Sequence, residues 1–282
     1  MNKPLVIYHG KCIDGFTGAW AFWRKFKESF DYHPGQYGHK PPDTFDRDVY
    51  LVDFSYKRGV VEDIILTANK VWLLDHHATA IDDLWDLKGL NTTFSNINES
   101  GAMIAWKFVA AITGDSKKPP EMLLHVQDRD LWLFKLANTR ELNEYMFSQE
   151  YDFLVWEEMM TMSKHQRNKA ITAGEAIVRK HFKDINELLG QMRRKMLIGD
   201  HLVDVACLPY MMASDAGSMM SLTAPFAATY YDTKDHRCFS LRSNANNPNA
   251  VDVSVIAANY GGGGHKHAAG FKVTRMHGLA ML

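Results

Sequence analysis

Residues 71–80 read VWLLDHHATA: an apolar run, Val71 to Leu74, ends abruptly in Asp75, His76 and His77. Burying an acid and two imidazoles inside a sheet is costly unless hydrogen bonds or a metal compensate. Just past the carboxyl end of a parallel strand, the same groups stand where open α/β sheets bind ligands. Two earlier strand-like runs end in the same way. Leu5 to Tyr8 is followed by His9 and, a turn later, Asp14, and Val49 to Phe54 carries Asp53. Further on, Asp128 lies in HVQDRDLW, with Asp130 as its competitor two residues later. Carboxylate oxygens mixed with imidazole nitrogens suit Mn2+, Zn2+ or Fe2+ better than Ca2+ or Mg2+. Two such ions sharing a carboxylate can activate water for in-line attack at phosphorus. Taken singly, each residue has an ordinary explanation. An Asp after a strand is more often a helix cap or turn residue, and a lone His is more often a hydrogen-bonded structural one. Their joint position after successive strands makes a site.

The elements that must position these groups alternate. After the strand at Leu5 comes an amphipathic segment, GFTGAWAFWRKFKESF, then a Pro/Gly-rich loop around Pro34 to Pro42. The strand at Val49 leads into the helical RGVVEDIILTAN and the strand at Val71. Such β-α-β alternation predicts a doubly wound, mainly parallel sheet with right-handed crossovers. Helical periodicity dominates from about Ser100 to Met196, and its end, ITAGEAIVRKHFKDINELLGQMRRKM, is basic. We read that charge as a solvated face rather than a nucleic-acid contact, on a helix that joins two domains. Strand patterns return in HLVDVACL, PFAATYYDT and RCFSLRS. The predicted architecture is α/β throughout: a catalytic domain over 1–190 that includes a helical part over 100–190, a linker at 191–200, and a smaller α/β domain over 201–282.

That second domain carries its own signal, GGGGHKHAAGF. The run Gly261 to Gly264 lets backbone amides approach an anion without steric hindrance. No Gly-Lys-Ser/Thr follows, so it is not a Walker loop. A flexible linker is the plainer explanation, but an apolar helix precedes the run and a strand follows at once, leaving little to link. Arg242 and Ser243 end the strand RCFSLRS, where a guanidinium fork would suit phosphate. Alone, that Arg would be read as a surface residue.

Composition limits the partners. Lys plus Arg number 32 against 33 Asp plus Glu, a net charge of −1. That balance argues against wrapping long nucleic acid by bulk electrostatics. The three cysteines, Cys12, Cys207 and Cys238, are far apart and form neither a disulfide framework nor a zinc-finger spacing. A reducing cytoplasm fits this best. MNKPLVIYHG has no long apolar core of a signal peptide, and no stretch reaches membrane-spanning length, so no membrane partner is expected.

Asp75-His76-His77 after an apolar strand, with a late GGGGHKHAAGF preceded by SLRS, resembles the DHH phosphoesterases with a DHHA1 C-terminal domain. This group includes RecJ-like exonucleases, nanoRNases and cyclic-dinucleotide phosphodiesterases. The resemblance spans nearly the whole chain. It implies a site in a cleft between two domains, with one or two Mn2+ ions or other divalent metals as cofactor. His9 and Asp14 then look like the first metal motif, Asp53 like the bridging carboxylate, His76 like a ligand and Asp128 like the fourth motif. His77 would face the scissile phosphate while Asp75 orients the histidines. Arg242 and Ser243 with Gly262, Gly263, Gly264 and His265 would hold substrate phosphate. Implied is hydrolysis of a short oligonucleotide, a dinucleotide or a cyclic nucleotide. A RecJ-like single-strand exonuclease and a catalytically weak nucleotide sensor are the rivals, and a homodimer stays open. The first motif departs from the family pattern. Four residues rather than three separate His9 from Asp14, and Phe16 stands where a second acid is expected. Cys12 would then be a substitute thiolate ligand or mere packing, and packing is the favoured reading.

Overall fold

Apolar residues fill the middles of β1 (Leu5–His9), β3 (Asp48–Val52) and β4 (Lys70–Leu74), as a sheet covered on both faces requires. With β2 (Asp31–Gly35) and β5 (Leu90–Asn91) they form a five-stranded sheet, all parallel, in the order β2-β1-β3-β4-β5. The computed structural model of the chain describes residues 2–275. Leu5, Ile7, Val49, Leu51, Val71 and Leu73 pack on one face against Val61 and Ile64 of α2 (Arg58–Thr67) and Leu84 of α3 (Ala78–Leu84). The alternate residues Val6, Tyr50, Val52 and Leu74 pack on the other. They meet Ala19 and Phe22 of α1 (Ile13–Phe26) and Ile104 and Phe108 of α4 (Gly101–Thr113). This is the predicted doubly wound sheet. Its strand order reverses between β1 and β3, and the crevice outside the carboxyl ends of those two strands is where such sheets bind ligands.

One strand falls where the sequence suggests the start of a loop. Pro34 lies inside β2, paired with Tyr8 of β1. Proline cannot donate to the ladder, so it is tolerated here because β2 is an edge strand.

The helices α5 (Glu121–Asp130), α6 (Thr139–Phe147) and α7 (Phe153–Met160), with the start of α8 (Lys164–Met192), build a second apolar layer on α1. Phe16 belongs to that layer. It is 3% exposed, stacked on Phe153 at 4.8 Å and edge-on to Trp156 at the same distance. The position where the family pattern has an acid is therefore core.

The chain divides into two compact units after Val178, inside α8, earlier than the boundary expected at 190. Ala170 and Ile171 of this helix join the first unit's core, whereas Ile185 packs with Ala206, Leu208 and Ala216 of the second. Residues 191–200, read as a linker, contain β6 (Arg194–Ile198). Its alternation is short but clear, with Met196 and Ile198 buried and Leu197 exposed. β7 (His201–Cys207), β8 (Ala227–Asp232), β9 (His236–Arg242), β10 (Gly263–His265) and β11 (Ala268–Thr274) complete a six-stranded sheet in the order β10-β11-β9-β8-β7-β6. α9 (Ala213–Met220) and α10 (Val253–Asn259) pack on it, which makes the second unit α/β as expected.

Phe16→Ala should lower unfolding free energy by about 3–5 kcal/mol, the usual cost of emptying a buried aromatic site. Phe16→Asp should cost at least as much and should not improve metal affinity. Urea midpoints of the two variants check this. A midpoint unchanged by either substitution would remove Phe16 from the core.

Candidate metal centre

The groups expected to do chemistry in the first unit do converge. β1 ends at His9, and α1 starts four residues later with Asp14 in its first turn. Asp53 follows β3 directly, and Asp75, His76 and His77 follow β4. Asp53 is at the centre. Its Oδ2 lies 3.3 Å from His9 Nδ1, and its Oδ1 lies 3.2 Å from His76 Nε2. The backbone of Asp53 is in the left-handed region, φ 55°, while its N–H still donates to Leu74 O at 3.0 Å. For a residue with a side chain that conformation costs on the order of 1 kcal/mol. It turns the carboxylate from the sheet into the crevice.

Asp75 is fully buried and serves the histidines. Its Oδ1 accepts the backbone N–H of His76 at 2.7 Å and of His77 at 3.2 Å, and lies 2.7 Å from His77 Nδ1. A carboxylate can only accept, so Nδ1 carries the proton in this pair, and the tautomer of His77 is set.

Asp128 is not in the cluster. Its carboxylate accepts the N–H groups of Lys135 and Leu136 at 2.9 and 3.0 Å and the Thr139 hydroxyl at 2.6 Å. That set braces the turn between α5 and α6. Asp130, at the end of α5, takes the place expected of Asp128, with Oδ2 3.3 Å from His76 Nε2. The helical period decides between them, since residues two apart face different directions.

Two further contributors, the start of α4 and Tyr37, were not legible as site residues. The amino end of α4 abuts the centre: a Cβ at Gly101 would lie 2.4 Å from Asp53 Cβ, and Ala102 N–H donates to Asp14 Oδ1 at 3.2 Å. The capping pattern of Ser100 identifies this helix start, but nothing in the sequence shows what it touches. Tyr37, in the Pro/Gly-rich loop, sets its ring 5.5 Å from that of His9. Cys12, for which packing is the favoured reading and a thiolate ligand the alternative, directs its Sγ to Asp53 Oδ2 at 3.4 Å.

In the second unit, Arg242 and His265 occupy one level of the sheet, because Ala268 pairs with both. The guanidinium donates to Ser240 Oγ, Leu241 O and Ser214 Oγ at 2.8–2.9 Å. Ser243 Oγ lies 2.9 Å from His267 Nδ1. Much of the glycine run has a structural cause. Gly261, at φ 74°, caps α10: its N–H donates to Ala258 O, and that of Gly262 to Ala257 O. A Cβ at Gly262 would lie 2.1 Å from Gly270 O. The Gly262 amide is thus committed to a helix end rather than directed at an anion. Gly263 and Gly264 belong to β10, paired with Gly270 and Ala269.

No family model matches the chain. An uncharacterized protein of Acanthamoeba polyphaga mimivirus is 30% identical over 302 residues, covering 97% of the chain and 68% of the viral protein. The chain belongs to the family of that viral protein. Among solved structures, RecJ from Thermus thermophilus, crystallised in complex with Mn2+, superposes with a TM-score of 0.50. That match covers 98% of this chain and 50% of RecJ at 14% identity, a likeness of fold. The chain has a DHH/RecJ-like fold. Among the described residues, no helix is long and apolar enough to cross a membrane.

Charge in this centre is crowded. Asp14, Asp53 and Asp75 are each at most 2% exposed. Burial, then the charges of Asp130 and Asp53, push the Asp14 carboxyl well above its usual range. Burial also pushes Asp130 up. It opposes ionisation of Asp53 too, but hydrogen bonds to His76 and His9 win, and this carboxyl falls below the usual range. His76 is pushed up to about 10: burial disfavours its charge, and Asp130, Asp53 and Asp14 more than offset that. Burial and then the three carboxylates raise the Cys12 thiol. Asp14 Oδ2, Asp53 Oδ1 and Asp130 Oδ2 are buried without a hydrogen bond of ordinary geometry. Inward-facing carboxylate oxygens crowded beside imidazole nitrogens fit a divalent cation. The donor atoms fall into overlapping groups, His9-Cys12-Asp53, Asp53-Asp75-His76-His77 and Asp14-His76-Asp130, each within 4.8 Å.

Asp128 and Asp130 should separate on substitution. Asp128→Ala removes the acceptor of three bonds and should loosen residues 131–138, at a cost of about 1–3 kcal/mol, while metal content holds. Asp130→Ala should lose bound metal with that turn intact. Hydrogen exchange of the 131–138 amides and metal content by atomic absorption read the two effects, and the reverse pattern would exchange their roles.

Proposed function

We propose that this protein is a metal-dependent hydrolase that cleaves phosphodiester bonds in short or cyclic nucleotidic substrates. The observation that carries the reading is Asp53, which offers one carboxylate oxygen to His9 and the other to His76. His9, Asp14, Asp53, His76 and Asp130 are the proposed ligands, and the Mn2+ of the RecJ structure supports that ion as the first to try. A pair of divalent ions in such a site supplies Lewis acidity toward phosphoryl oxygens and lowers the pKa of water.

The chain's own residues do the rest. Asp75 accepts the Nδ1 proton of His77 and, against the opposing effect of burial, favours the imidazolium, so that Nε2–H is the donor assigned to a phosphoryl oxygen. Burial of the Asp53 and Asp75 carboxylates limits water at the reacting centre, which strengthens each electrostatic contact there. The nucleotidic class is supported by aromatic rings in this unit. Tyr37 stands by His9, and Trp132 and Phe134, just beyond Asp130, lie 5.0 Å apart with the Arg140 guanidinium 3.9 Å over Phe134. Aromatic faces and guanidinium planes stack on unpaired bases. A net charge of −1 favours a short substrate over a long polyanion.

A screen of dinucleotides, cyclic dinucleotides, short oligomers, mononucleotides and pyrophosphate with added Mn2+ should show turnover on the phosphodiesters. Chelation should abolish it. Asp53→Ala should lower metal affinity at least about a hundredfold and remove activity while the circular dichroism spectrum is retained. Turnover undiminished by chelator, or an Asp53→Ala variant with full metal content, would refute the reading.

A further inference from the structure

The two oxygens of Asp53 face chemically different surroundings. On the Oδ1 side the neighbouring donors are His76 and Asp130, with Asp14 close by, which makes one nitrogen among oxygens. On the Oδ2 side they are His9 Nδ1 at 3.3 Å and Cys12 Sγ at 3.4 Å. His9, Cys12 and Asp53 bring their donor atoms within 4.8 Å of one another.

Local backbone explains why the sulfur is there. Cys12 is the N-cap residue of α1, extended at φ −121° and ψ 132°. A polar N-cap side chain normally turns back to accept a helix amide. The Cys12 side chain makes no such bond and points to Asp53 instead. Just before it, Lys11 adopts φ 61°, and Gly10 N–H is tied to Gly35 O at 2.9 Å. A Cβ at Gly10 would lie 2.9 Å from that same carbonyl oxygen. The turn is thereby held close against β2 and delivers residue 12 beside His9. Apolar packing does not account for this placement, since the sulfur is directed at a buried carboxylate.

We propose that Cys12, as a thiolate, is a metal ligand together with His9 and Asp53, so that this side of the centre takes a thiophilic divalent ion such as Zn2+, Co2+ or Cd2+. The side formed by Asp14, His76 and Asp130 then takes a harder ion such as Mn2+. The proposal rests on the metal reading above and deepens it, because the centre becomes a mixed one with two unlike positions. On binding, the sulfur–hydrogen bond breaks, its electron pair goes to the ion and the proton leaves to solvent.

The test uses the full chain loaded with Co2+ and reads the near-ultraviolet thiolate-to-Co2+ charge-transfer band, which does not depend on turnover. The unmodified chain should show the band, saturating at one ion per chain. Cys12→Ser should lose it while still binding a second Co2+ through d–d bands alone, and Cys207→Ser and Cys238→Ser should keep it. In competition, Cys12→Ser should weaken Zn2+ at least about tenfold, as expected for loss of a ligand, and leave the Mn2+ affinity of the other position within about threefold. Co2+ bound without the band, or a band that survives Cys12→Ser, would overturn the thiolate and leave the metal centre standing. No binding of Co2+ or Mn2+ to the unmodified chain would overturn both.

Discussion

Carboxylates crowded into one buried crevice are the constraint on which the first unit depends. Asp14, Asp53 and Asp75 are almost inaccessible, and Asp130 lies beside them on His76. Like charges in a low-dielectric site raise each other's energy, and one or more must be protonated or paired. The chain answers with imidazoles, with the amino end of α4 and with backbone amides, yet buried carboxylate oxygens are still left without good donors. A cation resolves that remainder more completely than any side chain present. His76 illustrates the point: burial opposes its charge, yet the three carboxylates around it hold its proton well above the ordinary range.

The sheet makes the crowding possible. Parallel strands end together at one edge, and the reversal of strand order between β1 and β3 leaves a gap outside His9 and Asp53. β1, β3 and β4 contribute apolar residues to both faces, and their site residues stand at or just beyond the carboxyl ends. The site and the core are consequently written on the same strands without competing. The left-handed backbone of Asp53 is the local cost of turning a side chain from one regime into the other.

The second unit carries its signal differently. The glycine run suggested amides open to an anion. Its first two amides instead end α10, and Gly262 is small because β11 passes directly over it at Gly270 and Phe271. Glycine was required, but by helix termination and close packing of backbone. A run of glycines has the same appearance in sequence whichever of these physical needs it meets.

What could be read from sequence alone was whatever depends on local periodicity and chain order. Apolar runs with polar ends located β1, β3 and β4, and with them His9, Asp53, Asp75, His76 and His77, because a strand's direction decides where its last residue stands. The doubly wound class followed from β-α alternation for the same reason. Tertiary structure decided what depends on neighbours distant in sequence. It chose Asp130 over Asp128, since only packing orients α5 so that one carboxylate meets His76 and the other braces a turn. It placed Phe16 among Phe153 and Trp156, partners more than a hundred residues away. It brought the start of α4 onto Asp53, which no pattern of small residues announces. It also aimed Cys12 at a carboxylate, because the direction of a side chain at a helix entrance is set by the turn before it and the strand beside it.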